Sequence, residues 1–159
     1  LPKVTILHSP KLPDVTAKHK GTYIHRALQD IRTAAKAQEN IHALYLRGEI
    51  DPSIIEEEEM QATISQLLSD PKVCSWFSED LKILNEQTLT DKDGQLLRPD
   101  RIVIDKQNRV TVIDYKTGND HKSYRKQVAN YMSLLKQIGF TEVEGYLLFV
   151  KDGEVVKVK

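Results

Sequence analysis

The hydrophobic periodicity of the chain changes from helical to strand-like near residue 80. Upstream, for example in 21–37, apolar residues recur at spacings of three and four, which is typical of amphipathic helices. Downstream, β-branched or alternating runs at 80–91, 95–106 and 109–118 are separated by turn-rich links of hairpin length, which predicts strands. Helices followed by strands restrict the chain to an α/β or α+β fold, in which helices cover the apolar faces of a sheet.

The rest of the second half adds one helix and two strands. The segment 120–139 returns to a helical period with Gly139 as its stop, and runs at 142–150 and 154–159 flank an Asp-Gly turn. Gly favours the left-handed conformation that ends helices and closes tight turns. The predicted order is therefore a helical part followed by β-β-β-α-β-β.

Start and stop signals divide the first half into helices. The second helix, 38–48, ends at Gly48. A third is predicted to start with Asp51 as N-cap and Pro52 in the first helical position, and Asp70 with Pro71 predicts the start of a short fourth helix.

The length of 159 residues suits one compact domain. We predict an extended lead-in over 1–18 and a single domain over 19–159, with a helical part at 19–80 and the β-β-β-α-β-β core at 81–159. The first residues, Leu-Pro-Lys-Val rather than Met, indicate a domain cut from a longer polypeptide.

Composition excludes several classes of protein. Lysine plus arginine equals aspartate plus glutamate, at 23 each, so the chain lacks the basic signature of a stand-alone nucleic-acid binder. A single cysteine, Cys74, excludes an intrachain disulfide and an iron–sulfur cluster built by this chain. No apolar run is long enough for a membrane span, and no leader is recognisable. A cytoplasmic, reducing compartment is therefore expected.

Two carboxylates and an ammonium interrupt the central strands. Asp114 and Lys116 are two residues apart and point to the same face of their strand. Hairpin pairing with the preceding strand brings Asp100 beside them. One interpretation is a cross-strand salt bridge between Lys116 and an acid. The other is a site for a hard divalent cation, because two close carboxylates repel unless a cation or proton lies between them.

Four short segments together resemble the PD-(D/E)XK nucleases. They are "GTYIH", "RPDRI", "VIDYKTG" and "QVANY", in the order and spacing of the RecB/AddA-like branch, the C-terminal nuclease domain of bacterial helicase–nucleases. The resemblance covers roughly residues 20 to 150. It implies a restriction-endonuclease-like core with a central mixed sheet flanked by helices.

The resemblance also implies roles for individual residues. Asp100 and Asp114 would bind a divalent metal, with the backbone carbonyl of Tyr115 and the imidazole of His25 completing its shell. Lys116 would assist the attacking water. The four remaining histidines have no matching context, so no role is predicted for them.

Further positions match the family less specifically. Glu86, on the first strand, either orients a group of the site or binds a second metal, and an exposed strand glutamate is an equal alternative. Gln127 and Tyr131 share a helix face and would line the DNA channel, although a core tyrosine and a surface glutamine are the alternative. The start of that helix carries basic residues that either contact DNA phosphates or form a solvated face: Lys122, Arg125 and Lys126, next to His121.

The predicted function is a Mg²⁺- or Mn²⁺-dependent deoxyribonuclease that acts on linear single- or double-stranded DNA. Helicase domains of a parent polypeptide, and a partner subunit, are the expected protein partners, with no membrane. No Gly-x-x-x-x-Gly-Lys loop is present, so no nucleotide cofactor is predicted. Alternatives are a catalytically silent DNA-binding or scaffolding module, the iron–sulfur branch of CRISPR-associated nucleases, which the cysteine count disfavours, and a ring-forming phage-type exonuclease.

Overall fold

The computed structural model describes residues 12–84 and 89–159. The helices are α1 (Leu12–Asp30), α2 (Ala37–Leu46), α3 (Glu57–Leu68), α4 (Pro71–Ser75) and α5 (Lys122–Ile138). The strands are β1 (Lys82–Ile83), β2 (Leu89–Thr90), β3 (Leu96–Leu97), β4 (Arg101–Ile104), β5 (Val110–Lys116), β6 (Val143–Phe149) and β7 (Glu154–Val158). None of the helices described is both long and apolar enough to cross a membrane.

One mixed sheet organises the fold. Its strand order is β1-β4-β5-β6-β7, and only the β5–β6 pair is parallel. The helix α5 makes the crossover between β5 and β6, as parallel neighbours require. Strands β2 and β3 form a separate small hairpin. The predicted α/β fold, a mixed sheet flanked by helices, is confirmed.

The two faces of the sheet are covered by different layers. Alternate side chains of the central strands, such as Ile113 and Tyr115, join the helices α1 to α4 in one buried cluster. Their neighbours, such as Val112 and Leu147, pack against α5 in a second cluster. Burial of both faces explains why these strands are almost continuously apolar, so that a buried charge among them is conspicuous.

A glycine sets the distance between α5 and the sheet. A Cβ atom on Gly145 in β6 would lie 2.5 Å from Met132 Sδ and 2.6 Å from Val128 Cγ1. Contacts this short do not occur between real side chains, so any larger residue would push α5 outwards. This close packing places the first turns of α5 directly over the end of β5.

The element boundaries differ from the predicted ones in the helical half. Residues 12–18, predicted as an extended lead-in, belong to α1, and α1 ends at Asp30 rather than continuing through residue 37. Asp51 starts a turn, with its Oδ1 accepting from Ser53 N at 2.9 Å, and the third helix begins six residues later, at Glu57. The predicted Asp70 cap is confirmed, because this side chain accepts from Lys72 N and Val73 N.

Candidate active site

The side chains of Asp100, Asp114 and Lys116 meet where β4 begins and β5 ends. The antiparallel register pairs Arg101 with Ile113, which sets Asp100 beside Asp114. The backbone N–H of Asp100 donates to Asp114 Oδ1 at 3.0 Å. The hairpin geometry expected from the sequence is therefore confirmed, and Asp100 and Asp114 are called the carboxylate pair below.

Asp100 is held from both halves of the chain. Its Oδ2 lies 3.0 Å from His25 Nε2 and accepts from the backbone N–H of Tyr115 at 2.8 Å. Its Oδ1 accepts from Gln29 Nε2 at 3.0 Å. His25 and Gln29 are one turn apart on α1, so one helix face supplies both contacts.

A second glycine lets α1 approach the sheet closely enough for these contacts. A Cβ atom on Gly21 would lie 3.1 Å from Thr117 Cβ, just beyond the end of β5. Because Gly21 precedes His25 by one helical turn, its close approach brings the imidazole to the carboxylate pair. This is the physical reason for a Gly-Thr-x-x-His segment at this position.

Asp114 is a buried acid with an abnormal pKa. It is 3% exposed, and burial, followed by the charge of Asp100, raises the pKa of its carboxyl group to about 6. The hydrogen bond from Asp100 N and the charge of Lys116 oppose this shift. A like charge nearby and low solvent access are the two conditions that favour the neutral form of an acid.

Lys116 connects the carboxylate pair to α5. Its Nζ lies 3.4 Å from Asp114 Oδ2, donates to Gln127 Oε1 at 2.8 Å and stands 4.7 Å from the centroid of the Tyr124 ring. This ion pair joins two residues of one strand, β5, so it is not the cross-strand salt bridge considered as the alternative. The contacts with Asp114, Gln127 and Tyr124 hold the ammonium beside the carboxylate pair.

A buried arginine anchors the helix that carries His25 and Gln29. Arg101 is 1% exposed. Its guanidinium donates to three backbone carbonyls, those of Trp76 at 2.9 Å, Ile31 at 2.8 Å and Arg32 at 2.7 Å. Two of these carbonyls directly follow α1, where the negative end of the helix dipole favours a cation. Arg101 thereby fixes the end of α1 to the start of β4.

Not every predicted site residue is placed as expected. Tyr131 is 2% exposed and belongs to the core, so it offers no open surface to a DNA channel. Its pKa is raised by burial and then by the charges of Asp114 and Asp100, which shows that its hydroxyl lies in their field. Gln127 is exposed and bonded to Lys116.

The predicted basic cluster at the start of α5 is partly neutralised. Arg125 donates to both carboxylate oxygens of Asp120 at 2.7 Å, while Lys122 and Lys126 are exposed to solvent. Glu86 lies outside the described residues, so its predicted role stays a prediction.

The donors around the carboxylate pair match a hard divalent cation in chemistry. Two carboxylates and a backbone carbonyl are ligand types that Mg²⁺ and Mn²⁺ prefer, while the imidazole is a softer ligand than a carboxylate. Within residues 12–84 and 89–159, however, no three His, Cys, Asp or Glu side chains form a ready-made metal cluster. The carboxylate oxygens bond instead to Gln29, His25, Lys116 and backbone N–H groups, and each carboxylate retains further lone pairs.

Comparison with known families identifies the chain. The family model of the PD-(D/E)XK nuclease superfamily matches residues 4–159. The chain belongs to the PD-(D/E)XK nuclease superfamily. Curated proteins gave no significant match. In this PD-(D/E)XK domain, Asp100, Asp114 and Lys116 stand in the order of the superfamily motif and converge at one end of the sheet.

Three residues of the site were not predicted. Gln29 could have been predicted from the sequence, because it follows His25 by one helical turn and so lies on the same helix face. Tyr124 precedes Tyr131 by two turns, and only the close packing of α5 on the sheet brings its ring to Lys116. The burial of Arg101 could not be predicted from the sequence, because an arginine beside a strand aspartate is usually exposed.

Proposed function

We propose that this PD-(D/E)XK domain is a metal-dependent deoxyribonuclease that hydrolyses phosphodiester bonds. The observation that carries the proposal is the convergence of Asp100, Asp114 and Lys116 from two strands, with His25 docked on them from α1. A purely structural ion pair would not need a second carboxylate beside a buried first one, since that arrangement raises the pKa of Asp114 to about 6.

In the proposed reaction Asp100, Asp114, His25 and the Tyr115 carbonyl would hold Mg²⁺ or Mn²⁺. The cation would supply Lewis acidity, which lowers the pKa of a water molecule and offsets charge on the phosphate. Lys116 orients the attacking water and offers its positive charge to the phosphorane oxygens as they gain negative charge. Gln127 accepts from the Lys116 ammonium and so holds it in place.

The resemblance to the RecB/AddA-like branch supports a more specific role. In this proposal the domain is the nuclease part of a bacterial DNA-repair or recombination helicase–nuclease and degrades linear DNA as an exonuclease. The helicase domains would deliver the strand, consistent with equal numbers of acidic and basic residues in this chain and hence weak DNA binding by the domain alone. Lys122 and Lys126 are proposed contacts to the DNA backbone.

The direct test is cleavage of linear single- and double-stranded DNA with Mg²⁺, Mn²⁺ or EDTA. Asp114→Ala and Lys116→Ala are expected to lose at least about a hundredfold in rate, as removal of a group that stabilises transition-state charge does. Lys106→Ala is the matched control, because Lys106 is exposed at the far end of the β4–β5 hairpin. Equal cutting by all four proteins would contradict the proposed site, and no cutting by wild type in either metal would indicate a catalytically silent module.

The imidazole of His25 is expected to matter more with Mg²⁺ than with Mn²⁺. His25→Ala removes one ligand from the shell, and Mg²⁺ suffers more from an incomplete shell because it demands near-ideal octahedral geometry. The measurement is the metal concentration that gives half-maximal cleavage. Half-maximal concentrations that are unchanged for both metals would show that His25 is not a metal ligand.

A further inference from the structure

A cavity of about 460 Å³ adjoins Asp100, between the second half of α1 and the segment that leads into β4. This volume lies within the range of about 300–1,000 Å³ that is usual for ligand pockets. Its wall includes Gln29, whose amide is bonded to Asp100 Oδ1. The cavity is therefore continuous with the candidate active site. A larger cavity of about 630 Å³, between α3 and the β6–β7 turn, contains none of the site residues.

Three arginines line this cavity, Arg26, Arg32 and Arg98, and it is called the arginine cavity below. Arg26 is already compensated, because its guanidinium lies 3.5 Å from Asp30 Oδ1 and 3.2 Å from Glu49 Oε1. It therefore forms a fixed part of the wall.

The other two arginines are differently placed. Arg32 follows the end of α1, Arg98 precedes the buried Pro99, and both are exposed. Among residues 12–84 and 89–159, neither side chain forms an ion pair. Two exposed arginines that line a polar cavity can bind an oxyanion, because their planar guanidinium groups match two oxygens of a phosphate.

We propose that the arginine cavity binds a phosphate group of the DNA strand next to the scissile phosphodiester, with Arg32 and Arg98 as donors. The inference rests on the proposed nuclease function, which places the scissile phosphate at the carboxylate pair. Asp100 belongs to both the carboxylate pair and the cavity wall, so a strand whose scissile phosphate lies at the carboxylate pair would extend along the cavity that Arg32 and Arg98 line. The cavity thereby sets how the strand is positioned relative to the cut.

The test uses Arg32→Gln, Arg98→Gln and the double variant, with Arg109→Gln as the matched control. Arg109 is exposed and bonded to Asp105 at the opposite end of the β4–β5 hairpin. Short oligothymidylates with a 5′-phosphate, a 3′-phosphate or hydroxyls at both ends serve as probes. Binding is measured by fluorescence anisotropy in EDTA at several salt concentrations, and KM for cleavage is measured with Mg²⁺.

Each substitution is expected to weaken binding on the order of tenfold, as removal of a hydrogen bond to a charged group does. The slope of log K against log salt should fall by about 0.7 for each phosphate that the variant no longer neutralises. An equal loss of affinity for all three oligonucleotides identifies an internal phosphodiester as the ligand, and a loss confined to one phosphorylated end identifies a terminal phosphate. Both outcomes support the arginine cavity.

Binding and salt slopes that are the same in the double variant and in Arg109→Gln would overturn the inference. The two proposals fail in different measurements. Absence of cleavage by wild type refutes the nuclease function, while the anisotropy measurement in EDTA needs no catalysis and still reports on the arginine cavity.

Discussion

Asp114→Asn is expected to abolish metal-dependent cleavage and, in EDTA, to stabilise the folded protein above pH 6. The two effects have opposite signs because the carboxylate proposed to bind the metal destabilises the fold when it is charged. Its pKa is about 6 in the folded protein and about 3.9 in an unfolded chain. The folded state therefore binds more protons than the unfolded state between these values.

The free energy of unfolding of wild type accordingly falls as the pH rises from about 4 to about 6, and it stays at this lower value above pH 6. A difference of about two pKa units corresponds to about 3 kcal/mol. Asparagine carries no charge, and its Oδ1 can still accept from the backbone N–H of Asp100. The gain at pH 8 is expected to approach about 2–3 kcal/mol and to vanish near pH 4.

Urea unfolding in EDTA at pH 4 and pH 8 measures this effect. Asp105→Asn is the control, because its half-buried carboxylate accepts from Arg109 N and Gln107 N, and these bonds lower its pKa. Removing that charge should not stabilise the protein at any pH. Equal stability of Asp114→Asn and wild type at pH 8 would contradict the prediction. Added Mg²⁺ should raise the midpoint of wild type but not that of Asp114→Asn.

Arg101→Met is expected to destabilise the protein by about 3–5 kcal/mol. The guanidinium satisfies three backbone carbonyls and lies 4.0 Å from the centroid of the Phe77 ring. Methionine fills part of the volume but leaves these carbonyls without donors, and each unsatisfied buried group costs about 1–3 kcal/mol. Thermal or urea unfolding measures the destabilisation.

Arg109→Met is the matched control and should change stability by no more than about 0.5 kcal/mol, because Arg109 is exposed. Arg101→Lys should lie between the two, since an ammonium retains the charge but not the fork geometry. The end of α1 is held by Arg101, so Arg101→Lys should also bind Mg²⁺ more weakly, through displaced His25 and Gln29. A destabilisation no larger than that of the control would show that other contacts anchor α1.

Local periodicity was sufficient to predict one part of the site. Asp114 and Lys116 share a strand face because side chains alternate, and Asp100 follows from the short link between β4 and β5. The docking of α1 on the sheet is a non-local event, so His25 was reached only through the family resemblance. The arginine that holds this docking was not predicted at all.

The error in the predicted start of the third helix has a local cause. The Asp-Pro segment at 51 resembles the one at 70, yet only the second begins a helix. At Asp51 the carboxylate also bonds the Ser53 hydroxyl at 2.7 Å, which stabilises a turn, and a side chain that binds nearby backbone groups competes with helix formation. Two described parts of the predicted first strand of the core, β1 and β2, belong to different sheets.

The hydrogen bonds of Asp100 have a consequence for how the protein acquires activity while it folds. One partner, His25, lies 75 positions earlier in the chain, and another, Tyr115, lies 15 positions later. The Tyr115 contact lies within the β4–β5 hairpin, whereas the contact with His25 spans 75 positions and forms later, because more chain entropy must be lost before it is made. A partly folded chain with only its hairpin formed would hold the two acids but not the imidazole. On the proposed function, hydrolytic competence would thus require completion of the whole domain and not of the hairpin alone.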